Sequence, residues 1–146
     1  MLRDMAMKYY LEQDYNCAES IIRAANEKYG LGLNEVAFHA LGGFGGGCCA
    51  GRLCGCCASG IAAISAKYIH TRLHADELAK ERIERFTKAF IKAMGSDLCD
   101  ELKKRYWKED YVNARCRRTV ELAADFLELE MEQFMTEDLV DVKGEK

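Results

Sequence analysis

Eight cysteines lie in 146 residues, and five of them fall in one stretch, LGGFGGGCCAGRLCGCCASG (Leu41–Gly60), with eight of the chain's twelve glycines. Clustered thiols can ligate a soft metal or an iron–sulfur cluster, exchange disulfides, or pack as small hydrophobes. The glycines allow a close crossing of helices, and they equally let backbone N–H groups approach sulfur.

The other three cysteines share a local context. Cys17 follows Asp14, Cys99 follows Ser96 and Cys116 follows Asn113, in each case by three positions. Those are good N-cap residues, so the spacing predicts each sulfur at N3, in the first turn of a helix. Free N–H groups and the positive end of the helix dipole there stabilise a thiolate or a metal-bound sulfur. Cys56 follows a glycine loop that opens a helix, which gives the same electrostatic setting. A single cysteine of this kind is more often core packing, and Cys116 lies in phase with an apolar face. Four at helix starts favour chemistry.

Several motifs are excluded. Cys54–Cys57 has C-x-x-C spacing but is followed by Ala58, so it is no haem attachment site. Paired C-x-x-C elements of a zinc ribbon are absent. The run GGFGGG lacks the G-K-[ST] of a phosphate loop, and no strand precedes it. A backbone nest for an anion, helped by Arg52, stays a weak option. Thioredoxin-like proteins place C-x-x-C after a strand, which this chain does not offer, although dithiol chemistry itself is not excluded.

The elements that must position these thiols read as helices. There is no proline, and Ala, Leu, Glu, Lys and Arg are abundant. The periodicity predicts a helix over residues 1–13, one from Asp14 or Asn16 to Gly30, and a short one from Asn34 to Gly42. A stripe of Cys57, Ile61, Ile64 and Tyr68 follows, then a clear helix with Ala79, Ile83, Phe86, Phe90 and Ala93 on one face, ending at Gly95. A shorter helix follows Ser96, and the last carries Cys116, Val120, Ala123, Leu127, Met131 and Phe134 in phase. The expectation is an all-α compact bundle of about five to seven helices with a Gly/Cys-rich loop. A single domain would span 1–135, with 136–146 as a frayed polar tail.

The composition is 49% hydrophobic and 31% charged, that of a globular chain. A formal charge of −3 gives no electrostatic case for nucleic acid or an anionic membrane. The first residues lack an apolar signal segment, and no run is long enough to span a bilayer, so a cytoplasmic protein is expected. There, cysteines serve as metal ligands or redox thiols more often than as disulfides. His70 and His74, spaced i, i+4, are read as a solvated helix end and His39 as a residue of a short apolar helix. The charged run from His70 to Phe86 is read as a solvated face.

The cysteine pattern resembles the C-GCAxxG-C-C family, whose name spells its signature. The first signature cysteine is Cys17, the GCAxxG element is GCCASG (Gly55–Gly60) with Cys56, and the third and fourth are Cys99 and Cys116. Cys57 stands where the motif has Ala, and Cys48, Cys49 and Cys54 are further thiols outside the signature. The resemblance implies redox activity. A related domain in split-Soret-type cytochromes carries an iron–sulfur site, which implies Cys17, Cys56, Cys99 and Cys116 as ligands.

Three functions follow as expectations. The first is electron transfer or redox sensing through an iron–sulfur cluster, [2Fe–2S] favoured, with the loop glycines Gly45, Gly46, Gly47, Gly55 and Gly60 walling the site. The second is a thiol–disulfide protein using Cys54, Cys56 or Cys57. The third is a structural zinc protein, or a helical interaction module without a metal. A redox partner protein is implied for the first two, and self-association is compatible with all three.

Overall fold

The computed structural model describes residues 1–107 and 116–144, with side chains described to residue 140. Seven α-helices form the described part: α1 (Leu2–Met7), α2 (Cys17–Tyr29), α3 (Glu35–Gly42), α4 (Gly55–Tyr68), α5 (Glu77–Met94), α6 (Cys99–Tyr106) and α7 (Arg117–Gly144). Lys8–Glu12 continues α1 as a wide π turn. The all-α bundle expected from periodicity is what forms.

Short polar side chains set the helix starts. Asn16 closes a reciprocal capping box on α2: its side chain accepts from Glu19 N–H at 2.9 Å, and the Glu19 carboxylate accepts from Asn16 N–H at 3.1 Å. Asn34 caps α3 through Ala37 N–H at 3.0 Å, and Asp76 caps α5 through Ala79 N–H at 3.1 Å. Gly30 and Gly95 end α2 and α5 in the left-handed conformation.

Helix α4 is the central element and packs against α2, α5 and α7. Its first six residues, Gly55–Gly60, are all buried, so no face of that half meets water. Gly60 is required there: a Cβ would lie 2.3 Å from Cζ of Phe86. Phe86 stacks with Phe90 and Phe126 at 5.9 and 5.5 Å between ring centres. Buried Ser59 donates to the Ala18 carbonyl at 2.6 Å, tying α4 to α2.

Four expectations need correction. The segment from residue 136 is not a frayed tail, because α7 runs on to Gly144 and Asp138 accepts from Tyr68 at 3.0 Å. The charged run of α5 is not wholly solvated either. Arg82 is only 1% exposed, pairs with Asp138 at 2.8 Å and stacks on the Tyr68 and Phe134 rings. That inward turn of Arg82 rotates the buried face, so Met94 is buried and Ala93 is exposed. Finally, α4 stops at Tyr68, so His70 and His74 do not share a helix: His70 reaches Asp76 at 3.0 Å, and His74 lies in a 3₁₀ turn, Leu73–Ala75.

Candidate functional site: a pocket of thiols at four helix starts

The signature cysteines stand at helix starts, though not at N3. Cys17 and Cys99 are the first residues of α2 and α6, and Cys56 is the second of α4. Cys116 precedes α7, and its carbonyl accepts the first intrahelical bond, from Val120 N–H at 2.8 Å. Asp14 does not cap α2, because with φ 59° it is still inside the preceding turn. Ser96 instead accepts from Leu98 N–H at 3.0 Å, and Leu98, not Ser96, is the residue that precedes the first turn of α6. The expected cap Asn113 lies outside the described residues.

A short backbone clip brings two of these starts together. Leu53 and Leu98 form one antiparallel bridge, in which Cys54 N–H donates to Asp97 O at 2.7 Å and Cys99 N–H to Arg52 O at 2.6 Å. Cys54 and Cys99 thereby face a common pocket. Cys17, Cys54, Cys99 and Cys116 line it, with Gly55, Leu102, Lys103 and Thr119. Gly55 lets α4 press against α2, since a Cβ there would meet the Cys17 sulfur at 2.7 Å. Gly46 donates its N–H to the Cys17 sulfur. Gly45 packs on the Asn16 side chain, and Gly47, with positive φ, on Cys99.

Cys56 sits behind the pocket wall, 2% exposed, and its thiol bonds both Cys17 and Cys54. These bonds, then burial, hold the Cys56 thiol well above the ordinary thiol range. The same proton has the opposite effect on its acceptors. Donation from Cys56 lowers Cys17 to about 7, with help from the N–H groups of Gly46 and Ala18 and against the cost of burial. Cys54 is also lowered, first by Cys56, while the neighbouring Cys17 charge opposes it. Cys56 is thus the common donor that favours the thiolate forms of Cys17 and Cys54.

The remaining thiols are different. Burial raises Cys116 to about 12 and also raises Cys99, in both cases against Lys103. Cys57 faces the core, fully buried, and is raised to about 12 by desolvation. Cys48 and Cys49 are exposed, with φ of 61° and 58°, and do not line the pocket. Sequence reasoning set Cys54 among the extra thiols, and it missed Tyr10, whose hydroxyl oxygen accepts from Cys116 N–H at 3.0 Å. No sequence signal marked Tyr10. Cys54 was expected as a reacting thiol of the C-x-x-C with Cys57, and the structure pairs it with Cys56 instead.

With this geometry in hand, comparison with protein families is decisive. The profile of C_GCAxxG_C_C, described as "Putative redox-active protein", matches residues 15–129. The chain belongs to this family. Neither curated proteins nor solved structures give a match. The C_GCAxxG_C_C match begins just before Cys17 and ends beyond Cys116, so it takes in every pocket cysteine. Its redox-active character agrees with the first two functions expected above.

A cluster implied by the C_GCAxxG_C_C resemblance can be tested against the pocket. The donor chemistry suits it, because sulfurs dominate the polar lining. The space does not: the pocket's free volume is about 10 Å³, close to that of one water. Among the described residues, no three Cys, His, Asp or Glu side chains are arranged to hold a metal ion. Two of the pocket sulfurs, Cys17 and Cys54, are instead served by the Cys56 thiol behind the wall. Among the described residues, too, no helix is long and apolar enough to cross a membrane.

Proposed function

We propose that the protein is a dithiol redox protein in which Cys17 carries the reacting thiolate and Cys56 is its partner thiol. The observation that supports this most is the fully buried Cys56 thiol bonded to Cys17, which is held near 7. A thiolate beside a thiol is the arrangement from which a disulfide forms and is reduced. Oxidation joins the two sulfurs, and two electrons and the one Cys56 proton pass to an acceptor. Reduction by a dithiol reverses the step.

A second reading is supported by a different observation. Four pocket sulfurs arrive from the starts of four separate helices, which suits four-thiolate ligation of an iron–sulfur cluster. It requires the sulfurs to separate from their present contact. One experiment decides between the two. Protein purified without oxygen is assayed for iron, zinc and visible absorption, then oxidised with diamide and digested for mass spectrometry. A colourless, metal-free chain that loses two thiols and yields a Cys17–Cys56 linked peptide supports the dithiol. Stoichiometric iron with a visible band, lost on Cys17→Ser, overturns it in favour of the cluster.

A further inference from the structure

Cys17 borders a second, wider hollow besides the thiol pocket. This hollow, of about 240 Å³, is lined by Tyr10, Asp14, Tyr15, Asn16, Cys17, Gly46 and Cys116. We propose that it admits a small neutral hydroperoxide to Cys17, and that Tyr10 is the acid that protonates the leaving oxygen. This rests on the dithiol reading and names its oxidant.

The size and charge of the hollow argue for the substrate class. Cys17 is only 6% exposed, which favours a small oxidant over the disulfide of a folded partner. The volume is below the range of drug-sized ligand sites. Asp14 is the one carboxylate of the lining, and with the Cys17 thiolate it disfavours anionic oxidants.

The placement of Tyr10 argues for the chemistry. Its oxygen accepts from Cys116 N–H, and among the described residues its own proton has no acceptor. A phenol is protonated at neutral pH, and it is a far stronger acid than water at about 15.7. A thiolate leaving group from a disulfide needs no such acid, whereas an alkoxide or hydroxide leaving from a peroxide does.

The step balances. The Cys17 thiolate attacks the terminal peroxide oxygen, an S–O bond forms and the O–O bond breaks. The departing alkoxide takes the Tyr10 proton and leaves as an alcohol, or as water when the oxidant is hydrogen peroxide. Tyr10 regains a proton from solvent. Sulfur has lost two electrons and is a sulfenic acid. The Cys56 sulfur then displaces that hydroxyl, an S–S bond forms, and water leaves with the Cys56 proton. An external dithiol returns the disulfide to the starting pair.

The test uses the full chain, reduced and metal-free, at pH 7. Hydrogen peroxide is added, the reaction is quenched at intervals, and each thiol is read by mass spectrometry. Cys17 is expected to be consumed before the exposed Cys48 and Cys49. Tyr10→Phe is expected to slow peroxide oxidation of Cys17 by about 100-fold, as for loss of a general acid. The same variant should leave Cys17 alkylation by iodoacetamide unchanged, because iodide leaves without a proton. In Cys56→Ser, dimedone should trap the sulfenic acid at Cys17. Consumption of Cys17 no faster than Cys48 and Cys49, or a Tyr10→Phe rate equal to that of the parent, overturns the proposal. Diamide separates this failure from failure of the dithiol reading: if it still forms the Cys17–Cys56 disulfide, the dithiol stands and only its oxidant is wrong.

Discussion

Replacing Cys56 by Ala should raise the Cys17 pKa by about one to two pH units. In the parent chain Cys17 lies near 7, against an ordinary thiol value of 9.0, although it is nearly buried. A two-unit displacement corresponds to about 2.7 kcal/mol in favour of the thiolate. Burial opposes it, so the favourable contacts together exceed that figure. The Cys56 thiol is the largest of them, ahead of the N–H groups of Gly46 and Ala18. A hydrogen bond to a charged group contributes about 1.5–3 kcal/mol, which sets the expected rise. At pH 7 the thiolate fraction should fall from about one half to about one tenth or less.

The assay is the pH dependence of Cys17 alkylation by iodoacetamide, read on its own peptide, with circular dichroism as a check on the fold. Two companion variants give the test its sign. Cys56→Ser keeps a donor and should leave the midpoint close to that of the parent. Cys54→Ala removes both the rival acceptor and its neighbouring charge, so it should lower the Cys17 midpoint further. A folded Cys56→Ala chain whose Cys17 still titrates near 7 would refute the shared-proton account. So would a Cys54→Ala chain in which the midpoint rises.

Other variants test the frame around the pocket. Gly60→Ala should destabilise by about 1–3 kcal/mol in urea unfolding, because the new methyl meets a Phe86 ring held between two others, whereas Gly42→Ala, meeting only Glu19 at 3.6 Å, should be neutral or slightly stabilising. Among the described residues, Asp138→Ala leaves the buried Arg82 guanidinium with Glu137, at 3.8 Å, as its remaining ionic partner. About 2–3 kcal/mol should be lost, less than for a fully buried pair because Asp138 is 37% exposed, and the Tm should fall by roughly 5–10 °C. Stability should also decline with alkali. Cys57 is raised from 9.0 to about 12, so its contribution is complete below pH 9 and is lost as pH rises towards 12. Urea midpoints measured from pH 8 to 11 should therefore fall, and Cys57→Ala should flatten the decline.

Helix content, helix order and the apolar face of α7 were legible in the sequence because they depend on local periodicity. Val120, Ala123, Leu127, Met131 and Phe134 are buried as their spacing predicts. The placement of cysteines near helix starts was legible too, but their position within the turn was not. Asp14 and Asn16 are both good caps, and only the left-handed turn at Asp14 decides for Asn16. The pair Asn16 and Glu19 carried that answer in its capping-box spacing. Arg82 was not legible, since an arginine among charges turns inward only where Tyr68, Phe134 and Asp138 meet it from two other helices. The end of α7 was misread for the same reason: its polar residues are anchored by partners far away in the sequence.

The roles of Cys54 and Cys56 depend on contacts of that long-range kind. Successive residues at a helix start point about 100° apart, so the pocket-facing thiol and the thiol behind the wall are set by how α4 is rotated. That rotation follows from three contacts distant in sequence. The Leu53–Leu98 bridge fixes the chain just before α4 against the start of α6. Gly55 allows the first turn to touch the Cys17 sulfur, and Gly60 seats the next turn on Phe86. Together they direct Cys54 into the pocket and leave Cys56 between Cys17 and Cys54, with one proton for two acceptors. The glycines of the motif thus act on the chemistry through distance: each removes a methyl group that would push the sulfurs apart or turn the helix that carries them.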